Sequence, residues 1–567
     1  MTAGIVLEGR LGRRRSLPGP CGRSGRAVYN RPRVLERARS GIIRQEKEPR
    51  MAREPFYLTT PIYYVNGEPH IGTAYTTIAS DTLVRWKRMD GYDVHFLTGM
   101  DEHGQKVAKS AAEHGMTPQE WCDSQVPQFT RLWDELGITY DDFIRTTEDR
   151  HTRGVQQFMQ TLYDNGYLYK GSYKGYYCTP CETQLSKTDL VDGKCPDCGR
   201  DVDFVEEENY FFRLSDFGDR LLAYYDAHPD FIRPKIREHE VRAFVEGGMH
   251  DLSVSRTTFD WGVPLPFDEK HVTYVWVDAL INYITALGYG SDDTSAFERY
   301  WPADFHFVGK DIIRFHCVIW PAMLMAAGLP IPEHVYAHGF LMAADGSKMS
   351  KSKGNAIYPR ELIERYGVDA YRFYFLSDVT FGSDGNIGHE RITQVYNAEL
   401  ANSYGNLFSR VSNMTIKYFD GRVPEVGEEF ADADNPLEDV ADGLYETYRS
   451  RIGDVDFAGA VEAVMELVHR ANLYVEESAP WKLAKSEDTR GELAFVLYNS
   501  LEACRIAALF LAPFMPASSR ELWSRLGLGD PSSVTDVASA SAWGGLPAGN
   551  PVTKGDALFP RLEQLPS

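Results

Sequence analysis

No run of eighteen consecutive apolar residues occurs in the chain, so the sequence offers no membrane-spanning helix of the usual length. Cysteine is scarce outside one place. Of eight, four fall within 21 residues as Cys178, Cys181, Cys195 and Cys198, while Cys21, Cys122, Cys317 and Cys504 are scattered. That distribution excludes the spread half-cystines of a small disulfide scaffold and fits a reducing compartment with one metal site. Positive charge is also in short supply. With 60 Lys and Arg against 81 Asp and Glu the formal net charge is −21. Taken alone this argues against a nucleic-acid partner, because phosphate is bound by clustered cations. Net charge is a global sum, however, and a binding footprint is local, so the motifs must decide. Internal repeats are lacking apart from the paired CxxC.

What is present is ordinary globular composition, 43% hydrophobic and 25% charged, over 567 residues. That length is too great for a single core and predicts two to four domains. Residues 1–50 stand apart, with twelve Arg, one Lys, four acidic residues and no sustained apolar period. They read as a disordered leader. An Arg-rich, acid-poor start suits a transit peptide or upstream sequence carried by an early start codon. Met51, five residues before the first strand signal at Phe56, favours the second reading.

From Phe56 the pattern is strand (Phe56 to Thr59), Pro/Gly-rich turn, a helix through Ala74, Ile78, Ala79, Leu83 and Trp86 ended by Gly91, then a strand at Val94 to Thr98. This is a βαβ unit, and ligands bind such sheets at the carboxyl ends of the strands, here Pro61 to Gly72 and Gly99 to Gly104. The alternation breaks near Gly166 in a Tyr- and Cys-rich segment. It resumes with an expected strand Val272 to Val277, a helix after Asp278, a strand Phe305 to Val308, a helix from Asp311 and a strand His334 to His338. After about Gly388 strand signals vanish, and helical periods take over, such as Val461, Val464, Met465, Val468 and Ala471 or Leu493, Val496, Leu497, Leu501 and Cys504. The expected fold class is α/β, a split, doubly wound parallel sheet of Rossmann-like type with a metal-binding insertion, followed by an all-α domain and a tail packed back on the body.

Three motifs carry chemistry. Pro69-His70-Ile71-Gly72-Thr73 sits where the first strand turns into its helix, and helix amino ends bind phosphate through free N–H groups while Gly72 permits close approach. Read alone, a histidine before a glycine is a turn residue. Lys348-Met349-Ser350-Lys351-Ser352-Lys353-Gly354 reads either as a solvated loop or as a phosphate clamp, since nucleotidyl transfer is mostly positioning and charge neutralisation. Cys178-x-x-Cys181 and, after thirteen intervening residues, Cys195-x-x-Cys198-Gly199 form the strongest pattern. Four thiolates on two tight turns give closed tetrahedral coordination, hence one structural zinc; two disulfides are the alternative.

Together His70-Ile71-Gly72-Thr73 and Lys348-Met349-Ser350-Lys351-Ser352 resemble the two signatures of class I aminoacyl-tRNA synthetases. Thr59 to Gly67, Gly99 to Lys106, Tyr274 to Leu280 and Val308 to His316 are similar to the methionyl family in particular, in one colinear order from about Pro55 to Arg561. The resemblance implies the catalytic residues His70, Gly72, Thr73, Lys348 and Lys351. It implies an ATP site of His70, Gly309, Asp311, His338 and Lys351, with Mg2+ accompanying ATP. It implies a methionine site of Ile62, Tyr64, Asp101, Trp276, Leu280, Tyr283 and His316, with Asp101 on the substrate ammonium and the aromatics around a polarizable thioether. Asn406, Arg410 and Trp481 are implied at the anticodon, where exposed aromatic and Arg side chains stack on and hydrogen-bond unpaired bases. The implied partners are methionine, ATP and tRNA(Met), touched at anticodon and acceptor end, with no membrane.

The implied divisions are residues 51–165 and 256–345 for the two catalytic halves, 166–255 for the connecting insertion with the zinc knuckle, and 346–388 for the signature loop and stem contact. Residues 389–540 make the anticodon-binding domain and 541–567 the tail. A cytoplasmic monomer is expected, since the chain ends soon after the helical domain. One departure stands out: Thr73 occupies the usual place of a second histidine. It keeps a hydrogen-bond donor without an imidazole, which predicts a weaker or differently arranged clamp on ATP. The nearest rival is a synthetase for cysteine or leucine, disfavoured because neither a zinc in the amino-acid pocket nor a long editing insertion is present. From another class, a non-catalytic tRNA-binding paralogue would carry Thr73 as its lesion.

Overall fold

Phe56 and Leu58 of the first strand join one buried cluster and Tyr57 another, the period-two pattern of a strand covered on both faces. The same division runs through the neighbouring strands, with Phe96 and Met100 against Leu97, Phe305 and Phe307 against Val308, and Tyr336 against Val335 and Ala337. A sheet that is apolar on both sides must carry helices on both sides. The computed structural model describes residues 53–65, 67–196, 198–349 and 355–563. The expected leader, and Lys351 with its neighbours in the late signature, lie outside the described residues.

The first half runs β1 (Pro55–Thr59), α1 (Ile71–Met89), β2 (Asp93–Asp101), α2 (Gln105–Glu113), α3 (Pro118–Leu136), β3 (Asp142–Arg145) and α4 (Asp149–Asp164). Gly91, at φ +92°, ends the α1 turn in the left-handed region that glycine alone takes without strain. The chain then enters β4 (Leu168–Cys178), β5 (Thr183–Leu185), β6 (Asp203–Phe212), β7 (Ile232–Arg233) and β8 (Leu252–Ser253). An antiparallel sheet forms in the order β5-β4-β6-β8, while β7 leaves it and pairs with the central sheet. The second half supplies β9 (Asp268–Thr273), α5 (Val275–Thr285), β10 (Phe305–Gly309), α6 (Trp320–Ala327) and β11 (His334–His338). The central sheet is parallel in the order β3-β2-β1-β10-β11-β7, with Tyr63–Tyr64 pairing to the carboxyl end of β2. The strand order reverses between β1 and β10, so the crevice at their carboxyl ends is the natural ligand site.

Two expectations are corrected. The strand expected over Val272 to Val277 stops at Thr273, and α5 begins at Val275. β9 pairs antiparallel in a small three-stranded sheet, not in the central one. The β-branched run Val275-Trp276-Val277 favours a strand locally, but helix geometry buries Val275, Val277, Leu280, Ile281 and Ile284 in one cluster, and tertiary burial overrides propensity. The helix expected from Asp311 is a 3-10 turn at Lys310–Ile312 and a π-turn at Phe315–Ile319 before α6.

Beyond Gly388 the described residues hold helices and one isolated bridge, Arg422 to Pro551. Helices α7 (Val368–Ser377), α8 (Asn406–Tyr418), α9 (Phe457–Ser478) and α10 (Arg490–Leu511) share one core with α1. The segment Glu487–Leu511 is long and apolar enough to cross a membrane, yet 89% of its most apolar stretch is buried within this core. Each large side chain buried there contributes about 1.5–3 kcal/mol. Leu546, Val552 and Phe559 of the tail pack against the same core.

Arg372 on α7 is fully buried and paired with Asp81 of α1 at 2.6 Å. Its guanidinium also donates to the Phe514, Pro513 and Leu136 carbonyls. Burial alone would raise the Asp81 carboxyl, but Arg85 and Arg372 hold it down at about 2. Breaking one side of such a pair leaves an uncompensated buried charge and costs about 3–5 kcal/mol. Arg372→Met is therefore expected to lower stability by about that amount in urea unfolding, and Asp81→Asn combined with it by less than the two single losses added. Because the folded carboxyl titrates below its ordinary 3.8, the stability it supplies is present above that pH and is lost as pH falls toward 2; acid unfolding of Asp81→Asn is expected to be shallower over that interval.

Candidate active site

The turn after β1 delivers His70 to the amino end of α1. His70 is the N-cap, in extended conformation, and its Nδ1 accepts the Thr73 N–H at 3.2 Å. The Thr73 hydroxyl lies 3.2 Å from His70 Nε2, so the small residue in the signature's last place docks the imidazole instead of leaving it loose. A side chain on Gly72 would meet the His70 ring at 3.1 Å. Surrounding protein lowers the His70 pKa, opposed by Asp311, which places the ends of α1 and β10 within electrostatic reach of each other.

The carboxyl ends of β10 and β11 complete this side. Gly309 is tight, since a Cβ there would stand 2.4 Å from Asp311 Oδ1. His338 is buried; its Nδ1–H donates to the Gly339 carbonyl at 2.8 Å, so Nε2 accepts from the Thr76 hydroxyl at 2.6 Å. Burial lowers its pKa, with Asp311 opposing and His70 adding to the effect. His70, Asp311 and His338 thus share one electrostatic neighbourhood. Lys348 is exposed, with Nζ 5.8 Å from the Phe340 ring, and Lys310 stands 4.5 Å from the same ring while bonded to Asp384 at 2.7 Å.

A second cluster lies at the end of β2. Tyr64 is in register with Asp101. Asp101 is buried, and its Oδ1 has no hydrogen-bond partner among the described residues. Burial raises its pKa well above the usual carboxylate range, and Asp278 and Glu182 push the same way. On α5, Trp276, Leu280 and Tyr283 follow at spacings of four and three and so share a face. Trp276 stacks on Phe315 at 4.2 Å, and the Tyr283 hydroxyl donates to His316 Nε2 at 2.7 Å, because His316 Nδ1–H donates to the Ile312 carbonyl. Burial depresses His316 to about 4, so this wall is neutral at ordinary pH. Ile62 packs at the margin of the same cluster and Leu280 within it. His316 owes its direction to the π-turn, a feature frequent at functional sites.

Sequence reasoning quoted His103 and Asp278 within motifs without giving them roles. Asp278 is fully buried, held by His103 Nδ1 at 2.6 Å and His151 Nε2 at 2.9 Å. Burial opposes ionisation, yet the two imidazoles hold the carboxyl at about 2. This cluster pins α5 to the loop after β2.

The donor atoms of Cys178, Cys181, Cys195 and Cys198 lie within 4.8 Å of one another, with Cys178 Sγ and Cys198 Sγ 3.5 Å apart. A disulfide requires about 2.05 Å, whereas the edge of a thiolate tetrahedron around a metal is about 3.8 Å. The set fits a tetrahedral ion. Gly199, at φ +68°, closes the second turn by donating to the Cys195 carbonyl. Far from these groups, Arg410 of α8 pairs with Glu476 at 2.7 Å and stands 5.9 Å from the Trp481 ring; Asn406 lies one turn earlier on the same helix and is exposed.

The family described as class I tRNA synthetases (M) matches residues 56–204 and 200–412, and the anticodon-binding domain of methionyl tRNA ligase matches 423–565. A methionine–tRNA ligase of Caldanaerobacter subterraneus subsp. tengcongensis is 49% identical over 511 residues, covering 90% of this chain and 79% of the relative. One from Streptomyces coelicolor is 49% identical over 528 residues, covering 90% and 97%. The structure of Mycobacterium tuberculosis methionyl-tRNA synthetase in complex with methionyl-adenylate superposes with a TM-score of 0.85 at 44% identity, over 90% of this chain and 100% of that one. With both family descriptions together covering nearly all of the described residues, and relatives of 49% identity matching 90% of the chain, the chain belongs to the methionyl branch of the class I aminoacyl-tRNA synthetases.

Proposed function

We propose that the family's reaction, ligation of methionine to its tRNA at the expense of ATP, is divided among the residues gathered at the carboxyl ends of β1, β2, β10 and β11. The observation that carries the reading is Asp101, a buried carboxylate with one oxygen unpaired among the described residues, beside a neutral aromatic wall. A carboxylate so placed suits an ammonium, and Tyr64, Trp276, Tyr283 and His316 with Ile62 and Leu280 suit a thioether side chain. His70, Gly72 and Thr73 at the amino end of α1 receive phosphate, Gly309 and Asp311 the ribose, and the backbone from His338 to Leu341 the adenine.

The methionine carboxylate oxygen attacks the α-phosphorus of Mg2+-bound ATP in line. The bond to the bridging oxygen breaks, and its electron pair leaves with pyrophosphate, neutralised by Lys348 and Lys351. A hydroxyl of the terminal adenosine of tRNA(Met) then attacks the acyl carbon and displaces AMP. No enzyme nucleophile is needed. Asn406, Arg410 and Trp481 receive the anticodon by stacking and base-edge hydrogen bonds. Residues 51–165 and 256–345 form the catalytic halves, 166–255 the insertion, 346–388 the signature-loop region, 389–540 the anticodon-binding domain and 541–567 the tail. Zinc is the ion that four thiolates suit; Cys178, Cys181, Cys195 and Cys198 would hold it as a structural ion, all four positions being filled by protein. A monomeric, cytoplasmic enzyme is part of this reading, and sedimentation at micromolar concentration tests the first part.

Protein beginning at Met51 is expected to show ATP–pyrophosphate exchange that depends on methionine and on no other amino acid. Exchange absent with every amino acid, with tRNA binding intact, would point instead to a non-catalytic tRNA-binding protein. Asp101→Asn is expected to raise the methionine KM by about 10- to 100-fold, the size of a charged hydrogen bond lost. Elemental analysis is expected to find one zinc per chain, and none in Cys178→Ser combined with Cys181→Ser.

A further inference from the structure

Glu182 follows the second cysteine of the first CxxC, and its side chain points away from the sulfurs into the catalytic half. It is 2% exposed and adopts φ +50°, a left-handed conformation that a residue other than glycine holds only where its surroundings impose it. The turn that imposes it is the knuckle's own, with Cys181 N–H donating to the Cys178 carbonyl and Glu182 N–H to the Thr179 carbonyl.

Tyr64, the start of α2 and the start of α5 all meet this one residue. Oε1 accepts the Lys106 N–H at 2.6 Å and, at 3.2 Å, shares the Tyr64 hydroxyl proton with the His103 carbonyl at 2.9 Å. The first of these is the amino end of α2, whose N-cap, Gly104, has no side chain to offer; Glu182 caps α2 from across the fold. The Glu182 carbonyl accepts the hydroxyl of Tyr274, the N-cap residue of α5, the helix that bears Trp276 and Tyr283. Oε2 accepts the Tyr177 hydroxyl. The approach depends on Gly104, where a Cβ would stand 2.5 Å from the Tyr64 oxygen and 2.9 Å from Glu182 Oε1.

We propose that Glu182 is a positioning residue through which the four-cysteine knuckle sets the amino-acid pocket. It transmits the knuckle's turn to Tyr64, to α2 and to the start of α5, so that the affinity for methionine depends on an intact knuckle. The inference rests on the reading that Tyr64 and Asp101 border the methionine site.

The test uses the full chain with its zinc content measured, the KM values for methionine and ATP in pyrophosphate exchange, and amide hydrogen exchange across residues 105–113. Glu182→Ala is expected to raise the methionine KM about tenfold, as for one charged hydrogen bond lost, with the ATP KM nearly unchanged and zinc retained. Amides at the start of α2 exchange faster in it, while Glu182→Gln, which keeps an acceptor oxygen, stays close to the unsubstituted chain in both readouts. Removing zinc from the unsubstituted chain is expected to speed exchange at 105–113, and removing it from Glu182→Ala to add nothing there; the first of these arms needs no variant to fold. An unchanged methionine KM in Glu182→Ala, or unchanged exchange at 105–113 when zinc removal has loosened residues 178–199, overturns the inference while leaving the pocket reading intact. An unsubstituted chain without methionine-dependent exchange removes both.

Discussion

The buried pair of Asp81 and Arg372 is the contact on which the relation between the two halves of the molecule turns. Asp81 lies in the middle of α1, the helix whose first residues carry His70 and Thr73. Arg372 reaches it from α7 and at the same time binds carbonyls at 513 and 514, just past the end of α10. One guanidinium therefore ties the signature helix, the last residue of α3 and the helical region together. A planar fork with five donors satisfies several acceptors in fixed directions, which a lysine ammonium does not. Dry ion pairs are weak as sources of net stability and strong as constraints on register, because an alternative packing strands a charge.

From that constraint the site follows. α1 leaves the carboxyl end of β1 and packs on one face of the sheet, while α5 packs on the other; the two faces have separate cores, set by the alternation along each strand. The groups proposed for the nucleotide collect around α1, β10 and β11, and the proposed amino-acid wall around β2 and α5. The Asp278 carboxylate between His103 and His151 fastens α5 to the loop after β2, as Asp81 fastens α1 to the helices. Fixed charge is placed where an element must not slide, and the wall itself is kept neutral, with burial holding His316 at about 4.

Much of this was legible in the sequence, and the reason differs from case to case. β1, α1 and β2 were readable because period-two and helical patterns abut a glycine that ends the helix. α9 and α10 were readable because their apolar residues repeat at helical spacing over 22 residues each. The cysteines were readable because two tight turns of two thiolates have one common chemical use. Only the first turn of α5 was misread, because Val275 and Val277 favour a strand in isolation and only the cluster they enter makes them helical. Asp81 with Arg372 and Glu182 with Tyr64 were invisible for another reason: the partners are 291 and 118 positions apart, and a single acidic or basic residue carries no periodicity. Thr73 was visible as a departure, but that its hydroxyl docks the histidine ring appears only in three dimensions.

An acidic chain that binds RNA poses an electrostatic question that local geometry answers. Arg410 is engaged with Glu476, but the two side chains are 30% and 57% exposed. A pair so open to water is worth about 0–1 kcal/mol and is screened by salt, so in the anticodon role proposed for Arg410, exchanging the carboxylate for a base edge or a phosphate would cost little. Trp481, 37% exposed beside that guanidinium, adds a stacking face. At Asp101 the order of costs is reversed: the carboxyl is buried and its pKa is pushed upward by burial and by Asp278, so the ammonium proposed to bind there would favour its charged form. The acidic total therefore works in two ways, diluted by water at the helical surface and concentrated by burial at the end of β2, and only the second gives a small cation a reason to enter.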